Sequence, residues 1–231
     1  MLTDGADIID IGGMSSRPGA KLIPVEEELH RVLSAIETIT REFPQAILSI
    51  DTVRARVARE AIHAGASIIN DISGGTIDPE MFATVAEINC PYILMHMKGM
   101  PENMQHDPTY QGDVMTVVMD YLIQKMGELR RLGVKDIIVD PGFGFGKSVT
   151  HNYKLLKNLA AFKILEVPIL VGLSRKSMIN KVLGTTPATA LNGTSVLHMV
   201  CLQHGAKLLR VHDVLEAKQA VLLWEELEKV D

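Results

Sequence analysis

Gly133-Val134-Lys135-Asp136-Ile137-Ile138-Val139-Asp140 joins a glycine to a short aliphatic run that ends on a polar group. The same pattern recurs as Gly5-Ala6-Asp7-Ile8-Ile9-Asp10, Gly65-Ala66-Ser67-Ile68-Ile69-Asn70 and Gly205-Ala206-Lys207-Leu208-Leu209-Arg210-Val211-His212. At Gly65, Gly133 and Gly205 the glycine follows an amphipathic stretch, the place where a helix ends with φ > 0, while too little chain precedes Gly5 to judge. The aliphatic runs are short and do not strictly alternate, as expected of parallel strands buried on both faces. One further strand candidate lies between consecutive members: 46–52, 92–97 and 169–175. Helical spacing fills the gaps, as in Val25, Leu29, Val32, Leu33, Ile36, Ile39 and Phe43, and again in Val114, Val117, Val118, Tyr121, Leu122, Met126 and Leu129. Asp78-Pro79 reads as the start of a helix over 79–88, and a last helix over 214–229 places Trp224 on its packed face.

Seven strand–helix units in succession specify an α/β fold with a parallel sheet, and their even lengths favour a (β/α)8 TIM barrel over an open sheet. Marked strands alternate with unmarked ones, and the first marked strand has no predecessor. This parity predicts a first β-strand upstream of Met1, with seven strands in the 231 residues and the whole of 1–231 forming one barrel domain. Met1–Asp4 reads as the tail of a helix. The two strand edges left by such a gap are expected to be covered by a partner or by a rearranged segment.

Composition narrows the partners. A net charge of −5 gives no long-range attraction to nucleic acid or anionic lipid. The sequence has no apolar stretch of 18 residues and no basic-then-apolar leader, which points to the cytoplasm. Cys90 and Cys201 are too few for a disulfide framework.

Polar groups close every strand: Asp10, Asp51, Asn70, His96, Asp140, Arg175 with Lys176, and Arg210 with His212 and Asp213. A single Asp there is more often a helix cap than a ligand. Asn70, Lys176 and Arg210 are not cap signals in their contexts, and in a barrel all of these ends converge on one rim. Arg17, Lys147, Arg175, Lys176 and Arg210 are expected to make that mouth positive and to favour a phosphate ester or diphosphate. Phe143 and Phe145 can form a wall for a flat ligand or pack beneath the rim. Glu26–Glu28 and Glu225–Glu228 read as solvated surface. Zinc spacing, a nucleophile elbow, a P-loop and a dinucleotide fingerprint are all missing.

DIIDIGGMSSRPGA, LSIDT, IINDISGG, MHMKGMPENMQ, DPGFGFGK, VGLSRKS and LLRVHDV, in this order, resemble the dihydropteroate synthase family of pterin-binding enzymes. The resemblance implies a (β/α)8 barrel that condenses a hydroxymethyl-dihydropterin diphosphate with p-aminobenzoate, releases pyrophosphate, uses Mg2+ and is a target of sulfonamides. By matching motif it implies pterin contacts from Asp51, Asn70, Ile72, Met95, Asp140, Phe145, Gly172, Lys176 and Arg210. Arg210 and His212 would bind the diphosphate, and Ser16, Arg17, Pro18 and Ser177 the p-aminobenzoate. Asp140, Lys176 and Arg210 would carry catalysis, by electrostatics rather than through a protein nucleophile. Met14-Ser15-Ser16 stands where the family usually has Glu-Ser-Thr. The family's NVTPDSFSDGG segment, with its metal-binding asparagine, has no match here, so no metal ligand is assigned. The family is usually a homodimer. A pterin-binding methyltransferase and an inactive, truncated pterin-binding barrel are the alternatives.

Overall fold

The computed structural model describes residues 1–15, 19, 22–100, 102, 104 and 108–230. Its strands are β1 (Ile8–Gly12), β2 (Ile47–Asp51), β3 (Ile68–Asp71), β4 (Tyr92–Met95), β5 (Ile137–Asp140), β6 (Leu170–Val171) and β7 (Leu208–Leu209). All seven fall where the aliphatic runs predict them. β1 to β5 form one parallel sheet in sequence order, β6 pairs with β7, and a single bridge from Val139 to Ile169 joins the two parts. Each strand is followed by one or more helices: α1 (Val25–Glu42), α2 (Ala55–His63), α3 (Met81–Ile88), α4 (Val114–Arg131), α5 (Val149–Lys157), α6 (Ser177–Leu183), α7 (Leu191–Gln203) and α8 (Val214–Leu227).

Strand side chains alternate in direction, so each strand serves two environments. Outward positions Leu48, Ile50, Ile69, Leu94, Val139 and Val171 pack with helix residues such as Val32, Ile36, Leu122 and Leu129 in the main core. Inward positions form a second cluster: Ile68, Ile93 and Leu170 are buried, with Ile8, Ile138 and Leu208 against them. Residues from β1, β4 and β7 can share one cluster only if the sheet curls about a common axis, which is the barrel geometry. Two residues further along the same strands come Asp10, Asn70, Met95, Asp140, Gly172 and Arg210. The aliphatic ring is therefore a floor, and the polar strand ends stand on it.

Among the described residues β7 and β1 are not hydrogen-bonded to each other. A cavity of about 710 Å³ opens between them, lined by Ile8, Leu170, Leu208, Val221 and Trp224 and reaching Asp10, Lys176 and Arg210. The expected helical tail at the start is a single 3-10 turn over Leu2–Asp4, and Met1 lines the same opening.

Local capping departs from the sequence reading in one place. α3 begins at Met81, and the Asp78 carboxylate accepts the Glu80 N–H at 3.0 Å through one oxygen and the Ala55 backbone N–H of α2 at 2.8 Å through the other. The carboxylate thus caps the helix beside its own. Cys90 and Cys201 are both buried, and burial raises their thiols to about 11 and about 12.

Candidate active site

The polar strand ends make one cluster. Asp10, on β1, accepts the Ser49 hydroxyl at 2.6 Å and the Asn70 amide at 3.2 Å. The Arg210 guanidinium bridges two carboxylates, through Nε to Asp10 and through an amino group to Asp51, each at 2.5 Å. Backbone register explains the meeting: Asp10 lies opposite Ser49, and Asp51 opposite Asn70, across adjacent ladders.

Gly172 sits at the centre of the remaining groups. A methyl group placed on it would lie 3.7 Å from Arg210 Cβ, 3.9 Å from Lys176 Nζ and 4.0 Å from Asp140 Oδ2. Asp140 is buried and accepts the Gly142 N–H at 2.7 Å. Lys176 donates to the Phe143 carbonyl at 2.5 Å, and its ammonium lies 4.6 Å from the centroid of the Phe145 ring. An apolar wall completes the slot, because Ile72, Met95 and Phe145 pack with Val53 and Met104 in one separate cluster. Of the two phenylalanines only Phe145 joins that wall; Phe143 is in the main core.

Burial sets the electrostatics. Desolvation, reinforced by Asp10 and opposed by Arg210, lifts the Asp51 carboxyl to about 7. Asp140 is raised by the same desolvation, against the pull of Lys176. Burial lowers Lys176 to about 8 even though Asp140 favours its charge. Desolvation works against the charge on Arg210 too, yet Asp51 and Asp10 hold it above its ordinary value.

His212 lies at the rim, its backbone N–H and Nδ1 3.3 and 3.1 Å from the Ser174 hydroxyl. Ser177 is exposed at the start of α6, outside the buried cluster. Ser16, Arg17 and Pro18 lie outside the described residues. Two expected mouth cations are elsewhere. Lys147 is buried, donating to the carbonyls of Gly142, His96 and Phe145 at 2.8, 3.2 and 3.1 Å and lying 2.9 Å from His96 Nδ1. It ties down the glycine-rich loop after β5. Arg175 forms a two-pronged pair with Asp213 at 2.6 and 2.8 Å. Among the described residues, the expected cations that remain at the cluster are Lys176 and Arg210. Asp10 joins this cluster although the resemblance assigns it no pterin contact. Its signal was available, since it stands two residues beyond an inward aliphatic, as do Asn70 and Asp140.

The family profile described as pterin binding enzyme matches residues 1–212. The chain belongs to the pterin-binding enzyme family. Within it, the dihydropteroate synthase of Escherichia coli is 42% identical over 227 residues, spanning 97% of this chain and 79% of that protein. That of Bacillus subtilis is 41% identical, over 99% of this chain and 78% of its own length. A Yersinia pestis dihydropteroate synthase solved with a sulfonamide drug superposes with a TM-score of 0.95 at 39% identity, covering 99% of this chain and 83% of that one. A Xanthomonas albilineans dihydropteroate synthase solved with 7,8-dihydropteroate gives a TM-score of 0.89 at 36% identity, covering 100% and 82%. Strand pattern and side-chain clusters thus reach the barrel, and kinship adds the pterin-binding family.

Proposed function

We propose that the chain is the dihydropteroate synthase of folate biosynthesis, joining 6-hydroxymethyl-7,8-dihydropterin diphosphate to p-aminobenzoate with release of pyrophosphate. The carrying observation is the convergence of Asp140, Lys176 and Arg210 around Gly172, with Asp51 joined through Arg210 and Asn70 through Asp10, above an apolar floor. A pterin edge alternates donors and acceptors, and carboxylate, amide and ammonium groups match that alternation. Ile72, Met95 and Phe145 would flank the ring, while Arg210 and His212 would face the diphosphate.

Chemistry on this frame needs no protein nucleophile. The exocyclic C–O bond breaks and the diphosphate leaves with the electron pair. The buried carboxylate of Asp140 stabilises the positive charge spread into the pterin. The arylamine nitrogen then attacks the methylene carbon and loses a proton. Lys176 and Arg210 favour both the leaving group and the orientation of the ring. By motif, Ser16, Arg17, Pro18 and Ser177 would receive p-aminobenzoate, which makes sulfonamide analogues expected competitors.

The Mg2+ implied by the resemblance finds no cage here: among the described residues no three His, Cys, Asp or Glu side chains gather to hold a metal. The nearest paired carboxylates, Asp10 and Asp51, are both taken by Arg210, and no step above runs through a metal. We read 1–231 as one barrel domain working in the cytoplasm; no helix among the described residues is long and apolar enough to cross a membrane. A homodimer is supported by exposed Val182, Leu183, Val196, Leu222 and Leu223 on α6 to α8, and sedimentation equilibrium tests it.

The deciding experiment is turnover with Mg2+ present, and pyrophosphate release that requires both substrates is the expected result. Pterin binding without release would leave only an inactive binder, and methyl transfer from methyltetrahydrofolate to cob(I)alamin would make the chain a methyltransferase.

A further inference from the structure

The loop after β5 places Gly142, Gly144 and Gly146 in the left-handed region, at φ 71°, 87° and 65°. On this path the Gly142 and Phe145 carbonyls face one point, and the Lys147 ammonium fills it at 2.8 and 3.1 Å. The end of β4 supplies two more acceptors, the His96 carbonyl at 3.2 Å and His96 Nδ1 at 2.9 Å. Four acceptors share three N–H groups, and the residue is only 3% exposed, so this cation has nothing left for an anion in the mouth. Only glycine permits the closeness, because a methyl group on Gly142 would lie 1.9 Å from the His96 carbonyl oxygen.

Three groups assigned to the pterin hang on this loop. Asp140 accepts the Gly142 N–H at 2.7 Å, and the Phe143 carbonyl accepts the Lys176 ammonium at 2.5 Å. The Phe145 ring lies 4.6 Å from the same ammonium and packs with Met95, the residue before His96. Asn152 closes the outer side, accepting the Gly144 N–H at 2.7 Å and donating to the Lys147 carbonyl at 3.2 Å. Desolvation brings Lys147 down to about 7, against the pull of Asp140. Burying an ammonium among carbonyls and an imidazole costs stability, so simple packing is a poor account of it. An apolar side chain could fill the volume but would leave the carbonyls without donors.

We propose that Lys147 is a positioning residue of the pterin slot, holding Asp140, Phe145 and Lys176 in one arrangement through the loop wrapped round its ammonium. The proposal rests on the reading of those three residues as pterin contacts. It assigns Lys147 to the ring and not to the diphosphate, the opposite of what its charge suggests.

Lys147→Met keeps the length and removes the donors. Calorimetry on the full chain with 6-hydroxymethyl-7,8-dihydropterin, with its diphosphate and with inorganic pyrophosphate separates the roles. The Kd values of both pterins are expected to rise by the same factor, about tenfold or more for lost hydrogen bonds to a charged group, while that of pyrophosphate stays unchanged. Two milder variants carry the test should Lys147→Met fail to fold. His96→Leu removes one acceptor at similar volume and is expected to raise both pterin Kd values about threefold. His96→Asn returns an acceptor near the place of Nδ1 and is expected to recover most of that loss. Unaltered pterin affinity in folded Lys147→Met or in His96→Leu, with only Tm lowered, overturns the proposal in favour of a structural role. Weakening confined to the ligands that carry a diphosphate overturns it in favour of a charge in the mouth. Equal losses in His96→Leu and His96→Asn overturn the part given to the ammonium and its acceptors. A wild-type chain that binds neither pterin overturns the proposed function and this inference together, whereas any of the variant outcomes above, with wild-type binding intact, overturns the inference alone.

Discussion

The two parts of the barrel are built differently. β1 to β5 carry four or five residues each and pair continuously, whereas β6 and β7 carry two each and reach β5 through one bridge. Asp51, Asn70, Met95 and Asp140 ride on the continuous part; Gly172, Lys176, Arg210 and His212 follow the short strands. The carboxylates and amide proposed to meet the ring are thus fixed by backbone ladders. The cations are held mainly by their partners: Arg210 by Asp10 and Asp51, Lys176 by the Phe143 carbonyl. Rigid recognition and adjustable charge come from opposite sides of one rim.

The largest effect is expected at the end of a long strand. Asp140→Asn removes the buried carboxylate while keeping its shape, and kcat for pyrophosphate release should fall about 10²–10³-fold with Tm little altered. A loss below about threefold in steady-state assays would move the charge-stabilising role away from the continuous part. Next is Arg210→Gln, which should lower kcat/KM for the diphosphate substrate by roughly 10²-fold. It should weaken binding of a pterin lacking the diphosphate far less, as calorimetry can measure.

The floor sharpens the comparison through stability. Ile93→Ala, at a fully enclosed position of β4, should cost about 2–4 kcal/mol in urea unfolding. Leu208→Ala, on half-buried β7, should cost roughly 1 kcal/mol. Equal losses would mean that the short strands are packed as firmly as the long ones.

A smaller effect depends on pH. The Asp51 carboxyl titrates at about 7 in the folded chain against 3.8 ordinarily. Between those values the folded chain keeps a proton that the unfolded chain has released, so this group makes wild-type stability fall as pH rises through that window. Asp51→Asn abolishes that slope. Its Tm relative to wild type should climb from pH 4 to pH 7 and then level off, and a constant offset across a differential scanning series would contradict the burial argument. The smallest effect belongs to the opening between β7 and β1, where Lys218 meets Asp7, itself 81% exposed, at 3.1 Å. Lys218→Ala should leave Tm within about 1 °C, since exposed pairs contribute little.

Much of this was legible from pattern. Short aliphatic runs closed by polar residues located every strand, because a strand buried on both faces has little freedom in composition. Asn70, Asp140 and Lys176 stood out for the same reason, being polar groups where such a strand should have none. Directions were less legible. Lys147 and Arg175 read as cations of the mouth and Glu28 as solvated surface, yet each turns inward to a carbonyl set or an ion pair made with a residue far away in sequence. Charge is a property of a residue, while its aim depends on partners that only the fold assembles. Asp10 shows the intermediate case, for its parity with the inward aliphatics was readable but its meeting with Arg210, 200 positions later, was not.

The arginine across Asp10 and Asp51 has one more consequence. Arg210 holds the Asp51 carboxylate that is proposed to receive a pterin's donors, so arginine and pterin compete for it. A visitor offering a single donor gains nothing by displacing a guanidinium that binds two carboxylates. One that donates along a whole edge, and also brings an anion to draw the arginine away, trades both partners at once. On the proposed function, selectivity for a pterin bearing a diphosphate would then begin with eviction, before any chemistry at the methylene carbon.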